Sequence, residues 1–207
     1  MVFRWFSSAV YGVYSFAHYS MVPKWETVGQ RPGGEYRIFR TDIVQRRHPV
    51  HLHVSEFVVV HPHSWVNILP ITPENEVVMI HQYRHGIDDV TLEIPGGMVE
   101  PGEDPREAGM RECTEETGFA GIERAEYLGE VHPNPAFLSN TCYSYVWLNC
   151  TLHSEQKLDR NEDIVVEKIP LEHVAELIRS GRIAHSLVLN AFMLYWMNPA
   201  FTNKMFS

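Results

Sequence analysis

Apolar and polar positions follow two distinct rhythms along this chain. Tyr36 to Val44 reads as a strand, and Leu52 to Val60 reads as another that ends in the β-branched run Phe57-Val58-Val59-Val60. The cluster Arg31-Pro32-Gly33-Gly34 predicts a turn before them. Trp65 to Pro70 and Val77 to Tyr83 are short apolar strands separated by the turn Thr72-Pro73-Glu74-Asn75. Thr91 to Ile94 is a further strand, stopped by Pro95-Gly96-Gly97. A helix is then marked at both ends. Asp104 suits the N-cap, Pro105 the first helical position and Glu107 a capping box, and Gly118 supplies the stop. Strands follow at Tyr127 to Val131, Cys142 to Asn149 and Ile164 to Ile169. A helix from Pro170 carries Leu171, Val174, Leu177 and Ile178 on one face and closes at Gly181. A last, nearly all-apolar helix runs from about Ala184 to Met197. The order strands, helix, strands, helices predicts a mixed α/β sandwich rather than a doubly wound sheet.

Composition narrows the picture. The 207 residues suit one domain with a smaller N-terminal extension. Net charge is −9, from 26 acidic and 17 basic residues, which argues against a surface that wraps nucleic acid. A phosphate-bearing small substrate stays compatible, because bound divalent cations invert the local field. Three scattered cysteines make no disulfide framework. Cys142 and Cys150 fall on one predicted strand, eight residues apart, and at about 3.3 Å per residue they cannot meet along it. We therefore expect a reducing, cytoplasmic location. Phe3 to Val22 is aromatic-rich. Tyr11, Tyr14, His18 and Tyr19 interrupt its apolar run, so it reads as an amphipathic helix packed on the domain or a partner subunit, not as a signal peptide or membrane span.

The stretch Gly97 to Phe119, GMVEPGEDPREAGMRECTEETGF, carries the chemistry. Residues three and four apart are neighbours on a helix, so Glu112, Glu115 and Glu116 project from one side. Such like charges cost a helix a few tenths of a kcal/mol per pair. Three glutamates alone are ordinarily a solvated helix face. Otherwise they bind a hard cation, and oxygen donors without thiolates favour Mg²⁺, with Mn²⁺ as a substitute. The glycines of Ile94-Pro95-Gly96-Gly97 let backbone approach a ligand closely. Histidines invite a second metal story, since His51 with His53 and His61 with His63 share strand faces by spacing. However, no set of three or four zinc ligands is evident.

Glycine, glutamate six on, Arg-Glu eight further, then Glu-Glu and glycine coincide at Gly97, Glu103, Arg111-Glu112, Glu115-Glu116 and Gly118. This pattern resembles the Nudix box at every fixed position. Cys113 and Phe119 depart mildly at its two aliphatic positions. The resemblance implies a Nudix-type α/β/α sandwich with a central mixed sheet, plus a small β-rich N-terminal extension. It implies Glu112 and Glu116 as main metal ligands, Glu115 in the same shell and the Gly96 carbonyl as a further donor. Glu103 and Arg111 correspond to the family's structural pair, with Arg111 and Glu115 also placed among the catalytic groups and Glu103 open to a more distant ligand role.

Gln82-Tyr83-Arg84, Leu92-Glu93-Ile94-Pro95-Gly96-Gly97 and Val99-Glu100-Pro101-Gly102-Glu103 resemble the ADP-ribose and nucleotide-sugar pyrophosphatase branch. By that resemblance Arg84 reaches the substrate phosphates, Glu93 orients substrate or its loop, and Pro135 marks the substrate-binding side. Arg84 is otherwise a surface arginine at a strand end. Glu162 is the candidate for activating water, with Asp159 and Asp163 as rivals on the same loop; the plain alternative is an acidic loop without catalytic role. Trp65 is open to stacking on a base or to packing.

Residues 1–60 would then be an N-terminal region serving dimerisation, and 61–207 the Nudix domain. The expected partners are a nucleotide sugar and a second copy of the chain, with no nucleic acid and no membrane. The expected reaction is Mg²⁺-dependent hydrolysis of the pyrophosphate bond in a nucleoside diphosphate sugar such as ADP-ribose or GDP-mannose. It yields a nucleoside monophosphate and a sugar phosphate. The alternatives are a non-catalytic ADP-ribose sensor and a hydrolase of dinucleoside polyphosphates or nucleoside triphosphates.

Overall fold

A computed structural model describes residues 22–201. The N-terminal helix expected between Phe3 and Val22 lies almost wholly outside the described residues. The described chain opens with three antiparallel strands in meander order: β1 (Glu26–Glu35), β2 (Phe39–Arg47) and β3 (Val54–Pro62). The turn expected at Arg31 to Gly34 is instead the end of β1. Pro32 opposes Asp42 and Glu35 opposes Arg40, so one irregularity absorbs the two glycines without ending the pairing. His51 and His53 do not share a strand face either. They stand in the β2–β3 loop, where the His53 ring stacks on that of His48 and the His51 ring lies tilted against it.

A seven-stranded mixed sheet follows. Its elements are β4 (Trp65–Ile71), β5 (Glu76–Arg84), β6 (Asp89–Glu93), β7 (Gly96–Met98), β9 (Glu126–Val131), β10 (Cys142–Leu148) and β12 (Ile164–Pro170). Its main order is β12-β5-β4-β10-β9, and only β4 with β10 runs parallel. Strands β8 (Phe119–Ala120) and β11 (Thr151–Leu152) form a small separate pair.

One feature of this sheet makes the site. Strands β4 and β5 pair only at Ile71 with Val77, beside their connecting turn. Beyond that they part, and β7 pairs with β4 while β6 pairs with β5. The sheet is thus split along its middle. Gly96 and Gly97, expected to stop a strand, form one themselves against Asn67 and Val66.

Strand alternation sorts the core into two layers. Val66 and Ile68 of β4, with Tyr145 and Trp147 of β10, pack under helix α1 (Pro105–Thr117) against Ala108 and Cys113. Leu69 and Ile71, with Val77, Met79 and Val146, face α2 (Val174–Arg179) and α3 (Ser186–Met197), where Phe192 and Tyr195 are fully buried. This is the expected α/β/α sandwich. The helix from Pro170 is shorter than its apolar face suggested, because Leu171–His173 form a 3₁₀ turn before α2. The three cysteines are buried and unbridged, and Cys150 falls just past β10 instead of on it.

The ends of α1 follow their residues. Asp104 accepts from the Arg106 amide at 2.8 Å, and Gly118 adopts φ 75°, its amide closing on the Thr114 carbonyl. The reciprocal half of the capping box does not form, because Glu107 turns outward to Arg124. The N-terminal sheet is tied to the domain through β3. The Val60 amide bonds to the Phe137 carbonyl, and His61 bridges buried Asp42 and Ser139.

Candidate active site

Helix α1 presents Glu112, Glu115 and Glu116 to an open cleft of about 590 Å³. Gly96, Gly97, Arg84 and Glu162 face them across it. Glu116 is 2% exposed and accepts from the Gly96 amide at 3.0 Å. Burial pushes its carboxyl up to about 8, against the pull of the Gly96 amide, and the charges of Glu112 and Glu162 add to the rise. Glu112 is raised as well, by burial first, while Arg111 opposes. Burial and neighbouring carboxylates thus both oppose ionisation of Glu112 and Glu116.

Arg111 is the organising side chain. Its guanidinium grips Glu103 at both ends, Nε to Oε1 at 3.0 Å and Nη2 to Oε2 at 3.2 Å. Its Nη1 also donates to Glu112 at 2.9 Å and to Glu115 at 3.1 Å. Glu103 in turn accepts from the Glu100 amide at 3.0 Å. The Arg111 bond holds the Glu103 carboxyl below the usual carboxylate range. Loop and helix are thereby tied together through Glu103 and Arg111.

The glycines have separate reasons. A Cβ on Gly97 would stand 2.5 Å from the Glu112 carboxylate, and one on Gly96 would stand 2.3 Å from the Val66 carbonyl. Gly118 needs its left-handed φ, and a Cβ there would meet the Ser154 carbonyl at 2.2 Å.

On the opposite wall Arg84 makes a two-point ion pair with Glu93. Glu93 is 2% exposed and also accepts from Thr91 Oγ1. Burial alone would raise its carboxyl, but Arg84 more than offsets that and holds it low. Arg84 keeps Nη1 clear of this pair, and it is about two-fifths exposed to the cleft.

The loop before β12 brings Glu162 and Asp159 to the same cleft, whereas Asp163 is not in its lining. Asp159 and Glu162 bind each other's backbone. The Glu162 amide donates to the Asp159 carbonyl, and the Asp159 amide donates to Glu162 Oε2, each at 3.0 Å. Gln156 anchors this loop by donating to the Glu116 carbonyl at 2.6 Å and the Ile164 carbonyl at 3.4 Å. Sequence reasoning missed Gln156, and also Gln82 and Lys157 in the lining. Only an Asp-x-x-Glu spacing hinted at the loop's closure. Pro135 stands apart, in an exposed turn that Asn134 closes by accepting from the Leu138 amide. It lines neither this cleft nor the cavity beside it. Trp65 is half-buried in the wall of that neighbouring cavity.

Among the described residues no three Asp, Glu, His or Cys side chains already converge as a ligand set. Glu112 and Glu115 point at Arg111, and Glu116 at the Gly96 amide. The donor chemistry nonetheless fits a hard divalent ion, since hard oxygens crowd one cleft and burial raises two of the carboxyls.

Comparison with known proteins agrees with this geometry. The NUDIX domain model matches residues 61–191. The chain is 32% identical over 148 residues to a methanol dehydrogenase activator from Bacillus methanolicus, covering 71% of this chain and 79% of that protein. It is 28% identical to an ADP-ribose pyrophosphatase from Bacillus subtilis, over 61% of this chain and 68% of that protein. Its fold is similar to that of a crystal structure of an ADP compounds hydrolase, with TM-score 0.74 and 22% identity, covering 84% of this chain and 92% of that one. The chain belongs to the Nudix family and is a hydrolase of that family.

Proposed function

We propose that the protein hydrolyses the pyrophosphate bond of nucleoside diphosphate sugars of the ADP-ribose kind in a Mg²⁺-dependent reaction. The products would be a nucleoside monophosphate and a sugar phosphate. The observation that carries this reading is the facing of Glu112, Glu115, Glu116 and Glu162 by Arg84 across one cleft. Similarity to proteins named ADP-ribose pyrophosphatase and ADP-sugar pyrophosphatase supports the substrate class.

In this reading Glu112 and Glu116 hold Mg²⁺, with Glu115 and the Gly96 carbonyl as further oxygen donors. Bound there, the ion supplies charge neutralisation on the diphosphate and polarises phosphorus. The protein's own groups do the rest. Glu103, through Arg111, keeps the glutamate rows in register. Arg84 offers its remaining N–H groups to a phosphate oxygen, held at a set angle by Glu93. Glu162 takes a proton from the attacking water at its carboxylate, and the departing monophosphate leaves beside Arg84.

We further read the protein as a homodimer through its N-terminal region, residues 1–60. Their sheet stands apart from the seven-stranded one and exposes Val54 and Val58. Buried, unbridged thiols accord with a reducing cytoplasm. No described helix is long and apolar enough to cross a membrane.

The test is a substrate panel with purified protein and Mg²⁺, following monophosphate release from ADP-ribose, ADP-glucose, GDP-mannose, diadenosine polyphosphates and nucleoside triphosphates. Turnover confined to diphosphate sugars is expected. Turnover mainly of triphosphates, or tight ADP-ribose binding without cleavage, would overturn the reading.

A further inference from the structure

The split in the seven-stranded sheet opens a second cavity, of about 270 Å³, beside the glutamate cleft. Trp65 and Asn67 of β4 form one wall and Glu93 another, and His185, just before α3, closes it with Leu187. Arg84, Gly96, Gly97 and Met98 line both spaces, so the cavity adjoins the place where the diphosphate would lie.

Two polar side chains in it are unexplained by the fold. Asn67 occupies the strand row of Leu69 and Ile71, which pack in the core on the α3 face. It is 9% exposed, and its Nδ2 is buried with no hydrogen-bond partner. His185 Nδ1 is likewise buried without a partner. A buried donor left unmade is costly, so such groups in a cavity wall point to a ligand that satisfies them. The walls carry no net charge to bind an ion, because the Arg84 guanidinium and the Glu93 carboxylate are paired.

We propose that this cavity is a sugar subsite, in which Asn67 and His185 hydrogen-bond hydroxyls of the ring esterified directly to the diphosphate. The inference rests on the diphosphate-sugar reading above and deepens it. Adjacency selects a sugar over a base, since a base stands one whole ribose away from the phosphates. The volume lies below the usual range of roughly 300–1,000 Å³ for ligand pockets, which suits one ring and not a nucleoside. The single aromatic wall, Trp65, offers a face for ring C–H groups.

The test uses the full chain with Mg²⁺ and two independent pairs of variants: Asn67→Asp and Asn67→Ser, and His185→Leu and His185→Gln. Melting temperature is followed as a control for folding. On ADP-ribose we expect KM to rise about tenfold with kcat within about twofold, the size of one lost hydrogen bond at about 1.4 kcal/mol per tenfold. Inhibition by ribose 5-phosphate and by AMP, GMP and UMP then locates the ring. Weakened ribose 5-phosphate inhibition alone places the distal sugar in the cavity, and equally weakened inhibition by AMP, GMP and UMP alone, independent of the base, places the nucleoside's ribose there. Either result supports a sugar subsite. Folded variants with unchanged KM and unchanged inhibition by all of these would overturn the inference while leaving the diphosphate-sugar reading intact. So would variants that alter only the preference among bases. A wild-type protein that cleaves triphosphates and no diphosphate sugar would overturn both.

Discussion

The guanidinium of Arg84 is held at two points by the buried carboxylate of Glu93, Nε to Oε1 and Nη2 to Oε2, both at 2.7 Å. Arg84 ends β5 and Glu93 ends β6, paired strands whose hairpin brings the two side chains together. A lysine could supply the charge but not the planar fork. Arg84→Lys is therefore expected to lower kcat/KM on ADP-ribose by about a hundredfold, near the cost of one positioned transition-state donor. Glu93→Gln should lower it by about tenfold, because Arg84 stays present but loses its fixed angle. Steady-state kinetics on the purified variants checks both, and wild-type values for Arg84→Lys would remove it from the phosphate site.

Glu112→Gln and Glu116→Gln should each cut turnover by about a hundredfold or more while the fold persists, as expected for groups that place transition-state charge. Glu116→Gln carries a second signature. The amide oxygen can still accept from Gly96 and does not ionise, so thermal stability measured in EDTA at pH 8 should rise. Near-normal turnover in both variants would sink the metal assignment.

The raised carboxyl of Glu116 predicts a pH-dependent response to metal. Its folded value, about 8, lies above that of an unfolded glutamate. The stability it contributes is complete below the unfolded pKa, near 4.5, and is lost as pH rises toward 8. A divalent ion reverses this by stabilising the anion. Added Mg²⁺ should therefore raise the melting temperature little at pH 5 and progressively more toward pH 8. A shift independent of pH would show that Glu116 is not linked to the ion.

Two neighbouring glycines should fail differently. At Gly97 the obstacle to a Cβ is the end of the Glu112 side chain, which can swing away. Gly97→Ala is expected to keep its melting temperature within a few degrees and lose activity. At Gly96 the obstacle is the Val66 carbonyl, a fixed part of the β4–β7 pairing. Gly96→Ala should lower the melting temperature markedly as well. Differential scanning calorimetry beside an activity assay separates the two, and equal behaviour would contradict the geometry.

Val58→Glu, on the exposed N-terminal sheet, is expected to yield a monomer by analytical ultracentrifugation where the parent chain sediments as a dimer. A monomeric parent would end the dimer reading.

Local signals by themselves determined the α/β class, most strands of the main sheet and helix α1, while β1, β7 and the β8–β11 pair escaped them. The former are local matters, set by the period-two strands and by Asp104, Pro105 and Gly118 at the helix ends. The box from Gly97 to Gly118 likewise placed the glutamates, because carboxylates three and four apart must share a helix face. Local spacing could not say that β4 and β5 pair at one residue and then part, since that depends on how β6 and β7 insert between them. It could not show that Arg84 spends two of its donors on Glu93, or that Glu107 leaves its capping box for Arg124. Nor could it place Gln156 against the end of α1, or turn Asn67 and His185 into one cavity from positions more than a hundred residues apart. Each is a contact between distant segments, decided by how the layers stack and where the sheet opens, and one sequence read along its length carries no record of that.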